Sequence, residues 1–238
     1  MDRWPVVAEP FRQWVIEDEF DNGRPRWEDV GVLFTDRVHD WEIYKLRLLN
    51  AAHSSMAYLA ALAGVTYVDE AMALPEVRSF LHRLLHDEAV PSLVPIPGHP
   101  PGGYVASVLE RFANTGVRDQ IARLCIDGSA KFPTFLLPTI TFQLDRDGPI
   151  GDGALALAGW ARYLATVPPE RQAFDAAGDT ARRHARRAMD EPTRFLDFAE
   201  VFPTSLRDNA RFRAAFAAAW QRLSDVGALV TMGDAMGA

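Results

Sequence analysis

The run from Lys45 to His53, KLRLLNAAH, with Glu42 just ahead of it, brings together a carboxylate, an amine, an amide and an imidazole. These are side chains that can hold, give or take protons. At about 100° per residue of helix, Glu42, Lys45, Asn50 and His53 fall within one arc of roughly 140° and can converge on one site. Leu46 and Leu49 share that arc, so the face is at least partly buried, where a polar quartet is costly unless its members satisfy one another or a ligand. A solvated polar stripe is the alternative that residue types alone leave open. His82 and His86 stand at i and i+4 in HRLLH, with Glu88 close by. That spacing can ligate zinc, but a surface histidine pair is its commoner use. Arg182, Arg183, Arg186 and Arg187, interleaved with alanines, read as a solvated helix face or as a patch for phosphate or an acidic partner. Cys125, between Leu124 and Ile126, reads as a small buried side chain.

Composition narrows the field in which such chemistry can work. With 238 residues, 48% hydrophobic and 24% charged, the chain can bury one sizeable core. A formal charge of -7 draws no phosphate backbone or anionic lipid, so neither a nucleic-acid nor a membrane partner is expected. The single cysteine excludes an internal disulfide and cysteine-rich zinc sites, and fits a reducing, cytoplasmic setting. Charges interrupt the N-terminal apolar residues, so no secretory signal is expected.

The elements that must position the quartet are mostly helical. Trp41 to Ala63 is free of proline and glycine and rich in Leu and Ala, so it reads as one long helix stopped by Gly64. Val68 to Leu85 continues at helical spacing, with Pro75 opening a new helix, which suggests a helical hairpin. Val90 to Gly103 holds five prolines and three glycines and reads as a loop inside one domain. Helix is expected again over Tyr104 to Ile126, with Leu109, Phe112, Val117, Ile121 and Leu124 in the core, broken at Asp127 and Gly128. Further helices are expected over Ala154 to Ala165, Pro169 to Met189, Glu191 to Val201 and Ser205 to Leu223, and a frayed, flexible tail over 226–238. Strand signals are confined to Pro5 to Ala8 and Val30 to Phe34. The expected fold class is mainly α.

The pattern of Lys45, Asn50 five positions on and His53 three beyond that resembles the signature of the mannitol dehydrogenase family, the polyol-specific long-chain dehydrogenases that include mannitol 2-dehydrogenase and fructuronate reductase. Similar blocks follow in order along nearly the whole chain: VVAEPFRQWVIEDEF at Val6, GRPRWEDVGV at Gly23, LERFAN at Leu109, DGSAKFP at Asp127 and LLPTI at Leu136.

The resemblance implies the multi-helix C-terminal substrate domain of such an enzyme over residues 1–238, with 1–40 as an interdomain segment. It implies hydride exchange between a nicotinamide and the C2 alcohol or ketone of a polyol or sugar-acid substrate. Lys45 takes the role of general base, Asn50 holds the developing alkoxide, and His53 orients the substrate hydroxyls and the lysine. Glu42 corresponds to a glutamate that gates proton exchange, and Arg123 and Lys131 to basic substrate contacts. A lysine serves as base near neutrality only if burial and cationic neighbours, Arg123 among them, weaken its hold on the proton.

The family also carries a dinucleotide-binding domain. This chain has no GxGxxG after a strand and no βαβ unit, and GPIGDG at Gly148 to Gly153 has the wrong spacing and reads as a turn. NAD or NADP is therefore expected to be bound by a nucleotide-binding domain outside the chain, in cis or in trans, and no metal is expected. A second catalytic asparagine belongs to that domain in the family, so the isolated chain is expected neither to bind nicotinamide tightly nor to turn over. A non-catalytic helical module that binds sugar or protein is the competing reading.

Overall fold

A computed structural model describes residues 3, 4 and 8–235. Two short strands, β1 (Val15–Glu17) and β2 (Leu33–Thr35), pair in parallel with Val15 opposite Leu33. β2 overlaps the expected run at Val30 to Phe34, although Val30 itself lies in a 3-10 turn and is exposed. β1 was not expected. Of the strand expected at Pro5 to Ala8, residues 5–7 lie outside the described residues, and Ala8 is not in a strand. Arg24 ties the pair together, bonding Asp18 and Glu28 while its guanidinium lies 3.4 Å from the centre of the Phe34 ring.

The rest is helical, as the Leu- and Ala-rich periodicity requires. The expected long helix is present but not uniform: α1 (Val38–Tyr44) passes into a π-helical turn over Lys45–Asn50 and then into α2 (Ala51–Leu62). The expected partner helix is split at Leu74 into α3 (Val68–Ala73) and α4 (Pro75–Arg83), with Pro75 at the first turn, followed by a second π turn over Leu84–Ala89.

Helix α5 (Pro101–Phe112) ends well before the expected Ile126. The Asn114 carboxamide accepts from the Gly116 amide at 2.9 Å, which turns the chain, and Val117 is exposed rather than in the core. The segment that follows is pinned by the Tyr67–Gln120 antiparallel bridge, with Val68 N donating to Asp119 O at 2.9 Å. Short α6 (Ile121–Leu124) closes it.

Asp127 breaks the chain in a left-handed conformation, but Gly128 starts α7 (Gly128–Phe135) rather than ending a helix, and α8 (Leu137–Leu144) follows. Glycine is required there, since a Cβ on Gly128 would lie 2.7 Å from Trp160 Nε1 and collide with Tyr58 as well.

The centre of the core is α9 (Gly151–Thr166), buried on nearly every side, as expected of a helix that is apolar all round. Trp160 packs there among Tyr58, Phe132, Phe195 and Phe198. GPIGDG is not merely a turn: Gly151 and Gly153 open α9. Around it stand α10 (Gly178–Arg187), α11 (Thr204–Arg207) and α12 (Ala210–Gly233). The helix expected from Pro169 begins only at Gly178, and Glu191 to Val201 forms a 3-10 turn over Pro192–Asp197 instead. Of the tail expected over 226–238, residues 236–238 lie outside the described residues. After a kink at Gly227 the helix runs on to Gly233, with Thr231 and Met232 fully buried and Arg83 donating to Met232 O at 3.0 Å.

Candidate active site

The π turn decides what the signature residues can do together. In a regular α-helix, residues five apart point about 140° away from each other. An i→i+5 ladder returns them to one side. Lys45 Nζ accordingly donates to Asn50 Oδ1 at 3.3 Å. The lysine side chain is exposed and Asn50 half-buried, so the pair stands at the protein surface at the head of α2.

His53 lies one turn further and faces inward. Its ring is stacked on Phe112 of α5, centroids 3.9 Å apart and planes 5° from parallel. Burial lowers its pKa to about 4; Arg123, Arg111 and Lys131 press the same way and Asp119 opposes them. The imidazole is therefore neutral at pH 7, able to donate from one nitrogen and accept at the other.

Beside His53 is a cavity of about 200 Å³ lined by Glu9, Leu49, Val68, Asp69, Arg111, Phe112, Asn114, Val117, Asp119 and Arg123. Its two guanidiniums are already engaged. Arg123 forms a two-pronged pair with Asp119, one bond at 2.7 Å, and this pairing holds Asp119 below the usual carboxylate range. Arg111 bonds Glu9 at 2.8 and 3.1 Å and lies over the Phe11 ring. Asp69 accepts from Arg118, which the chain holds in a left-handed conformation, while its other carboxylate oxygen is buried without a partner among the described residues.

The six expected site residues thus separate into three groups. Lys45 and Asn50 touch each other; His53 and Arg123 line one cavity; Glu42 and Lys131 belong to neither. Glu42 is exposed, 3.5 Å from His39 Nδ1. Lys131 on α7 is half-buried, donates to Leu124 O at 3.2 Å, and has its pKa lowered by burial. Lys45 is not buried in this arrangement, and Arg123, expected as its cationic neighbour, is paired with Asp119.

Asp119, Asp69 and Glu9 were not among the expected site residues. Arg111, Phe112 and Asn114 lay inside the LERFAN block, and Asp119 carried a signal of its own, its i,i+4 spacing from Arg123.

The other candidates resolve structurally. The His82 and His86 rings sit 4.4 Å apart, but Glu88 is turned inward, its carboxylate accepting from the Asp152 and Gly153 amides at 2.7 and 3.0 Å. It caps α9, although burial and the nearby Asp152 charge push its pKa up to about 8. Among the described residues no three His, Cys, Asp or Glu side chains gather as a metal site. The Cys125 thiol is buried and pushed up to about 12. Arg182 pairs with Asp179 on α10, and Arg186 and Arg187 are exposed. No helix of the described residues is long and apolar enough to cross a membrane.

A mainly helical domain that presents Lys45, Asn50 and His53 along one interrupted helix matches a known class. Residues 37–224 match the mannitol dehydrogenase C-terminal domain, and the chain belongs to that family. It is 40% identical, over 97% of its length, to a mannitol dehydrogenase of Saccharomyces cerevisiae, of which it covers 47%. It is 38% identical, again over 97%, to the mannitol 2-dehydrogenase of Phaeosphaeria nodorum, covering 41%. The structure of Pseudomonas fluorescens mannitol 2-dehydrogenase, a ternary complex with NAD and D-mannitol, superposes with a TM-score of 0.87 at 37% identity, over 97% of this chain and 48% of that one. A substrate-free D-sorbitol dehydrogenase gives 0.84 at 27% identity, over 97% of this chain and 48% of that one. The chain spans about half the length of the curated relatives it matches.

Proposed function

We propose that this chain is the substrate-binding and catalytic half of an NAD(P)-dependent oxidoreductase that interconverts a sugar alcohol or aldonic acid and its 2-keto sugar, of mannitol–fructose or mannonate–fructuronate type. The observation that carries the reading is the Lys45–Asn50 hydrogen bond across the π turn. It places a proton acceptor beside an amide whose carbonyl is occupied and whose NH2 group is left to donate to a substrate oxygen. Lys45 Nζ takes the hydroxyl proton when the alcohol is oxidised and returns it to the ketone in reverse, a role that requires its exposed side chain to be covered once substrate and the nicotinamide-binding domain close over it. His53, neutral and held flat against Phe112, orients neighbouring hydroxyls; Arg123 shares its cavity, Lys131 would reach substrate only by releasing Leu124 O, and Glu42 is an outer proton-exchange group.

Among the described residues no strand, glycine-rich turn and helix follow one another to cradle a pyrophosphate, so these residues do not fit a dinucleotide. The nicotinamide belongs to a further domain, in cis or in trans, for which residues 1–40 form the joining segment. Exposed Trp14 and Phe20 there suit a surface that such a domain covers. A cytoplasmic setting accords with the single buried cysteine.

A second reading, a sugar- or protein-binding module without turnover, is favoured by that lack of a dinucleotide cradle. The two separate when the chain is joined to or mixed with a nicotinamide-binding domain of the family. Reduction of NAD or NADP by a polyol or aldonate, abolished by Lys45→Ala, supports the enzyme. Binding without reduction supports the module.

A further inference from the structure

We infer that Asp119 sets the charge specificity of the site: by keeping Arg123 neutralised beside His53, it admits a neutral polyol and turns away a sugar acid. The inference rests on the proposed function and deepens it by choosing between its two substrate classes.

The cavity beside His53 has three carboxylates, Glu9, Asp69 and Asp119, against two guanidiniums, Arg111 and Arg123. Both guanidiniums have their N–H groups directed at carboxylates, Arg123 at Asp119 and Arg111 at Glu9. Two further cations stand outside the lining: Arg118 is paired with Asp69, and Lys131 is held by Leu124 O. A carboxylate entering here would give up its hydration and meet no unpaired cation among the lining residues. Polyol hydroxyls face a smaller cost, because they carry no charge to desolvate and each can donate to a lining carboxylate.

Asp119 is the determining member because its backbone is fixed. Its carbonyl accepts from Val68 N at 2.9 Å, and Ile121 N donates to Thr66 O at 3.0 Å on the other side of the Tyr67–Gln120 bridge. Its side chain is only 19% exposed, against 62% for Arg123, so the carboxylate is the anchored partner and the guanidinium the adjustable one. Removing the charge of Asp119 leaves Arg123 free to take a carboxylate from the ligand, for which its planar fork is suited.

The test uses the 238-residue chain, with D-mannitol and D-mannonate as probes and the His53 ring resonances as the binding signal. Asp119→Asn is expected to shift the mannonate-to-mannitol affinity ratio about tenfold toward the acid, the size of one partly solvated charged hydrogen bond. Asp119→Glu, which keeps the charge, should retain the original ratio, and Asp119→Asn with Arg123→Gln should cancel the gain. A merely structural role for Asp119 would weaken both probes alike. An unchanged ratio in Asp119→Asn, an equal shift in Asp119→Glu, or mannonate binding at least as tightly as mannitol to the unsubstituted chain would overturn the inference. Failure of hydride transfer with every polyol and aldonate, in the presence of the nicotinamide-binding domain, would reject the proposed function instead, while the binding ratio still decides the role of Asp119.

Discussion

His53 offers a direct reading of how closed the site is. Its ring lies against Phe112 at 3.9 Å, and burial holds its pKa at about 4. An unfolded histidine titrates near about 6.5. Because the folded value is the lower one, the unfolded chain binds the extra proton first as pH falls. The stabilisation is complete above about pH 6.5 and is lost as pH falls toward 4. Working the two values through linkage, His53 removes about 2 kcal/mol of stability between pH 7 and pH 5. Glu88 acts in the opposite sense over the same range, so the measurement is the difference between the parent chain and His53→Gln in urea unfolding at both pH values. Proton NMR of the His53 ring gives the midpoint itself, and Phe112→Ala, which uncovers one face of the imidazole, should raise it toward 6.5. A parent midpoint already near 6.5, or an identical pH dependence in His53→Gln, would refute the idea of a closed, neutral imidazole.

Other expectations follow from neighbouring parts of the molecule. Glu88 is pushed up from 4.5 to about 8, so its stabilisation is present below about pH 4.5 and lost as pH rises through 8; Glu88→Gln should remove that decline from the urea midpoints. Gly159 meets α2 so closely that a Cβ would lie 2.6 Å from Leu59 Cδ2. Gly159→Ala should therefore cost about 1–3 kcal/mol by overpacking, read as a drop in Tm. Asn50→Ala, in the protein that carries out hydride transfer, should lower kcat about 100-fold with a smaller change in KM, as loss of an oxyanion donor does.

How far the sequence foretold this arrangement differs from element to element. Helices α2 and α9 were legible because proline-free runs rich in Ala and Leu have few other ways to bury their surface. The π turn was not, since nothing in KLRLLN distinguishes an i→i+5 ladder from an i→i+4 one, and only the fold reveals that Lys45 and Asn50 face each other. Helices α7 and α8 were hidden by Gly128, Pro133 and Pro138, residues that usually punctuate helices and here stand within them or in their first turns. The tail reads as a short run punctuated by glycines, yet Gly227 supplies a kink that lets Thr231 and Met232 reach the core. The site was half legible: its signature residues lie on one helix and Asp119 stands four residues from the Arg123 it neutralises, whereas only folding brings Glu9 to Arg111 and Asp69 to the same cavity.

The central claim is that Lys45 is the proton acceptor in polyol oxidation, and the most direct measurement is kcat for NAD(P)-dependent oxidation of D-mannitol by the complete enzyme with and without Lys45→Ala. Loss of about 100-fold or more in kcat, with mannitol binding retained, is the expected result. An active enzyme whose kcat is unchanged by Lys45→Ala would contradict the assignment.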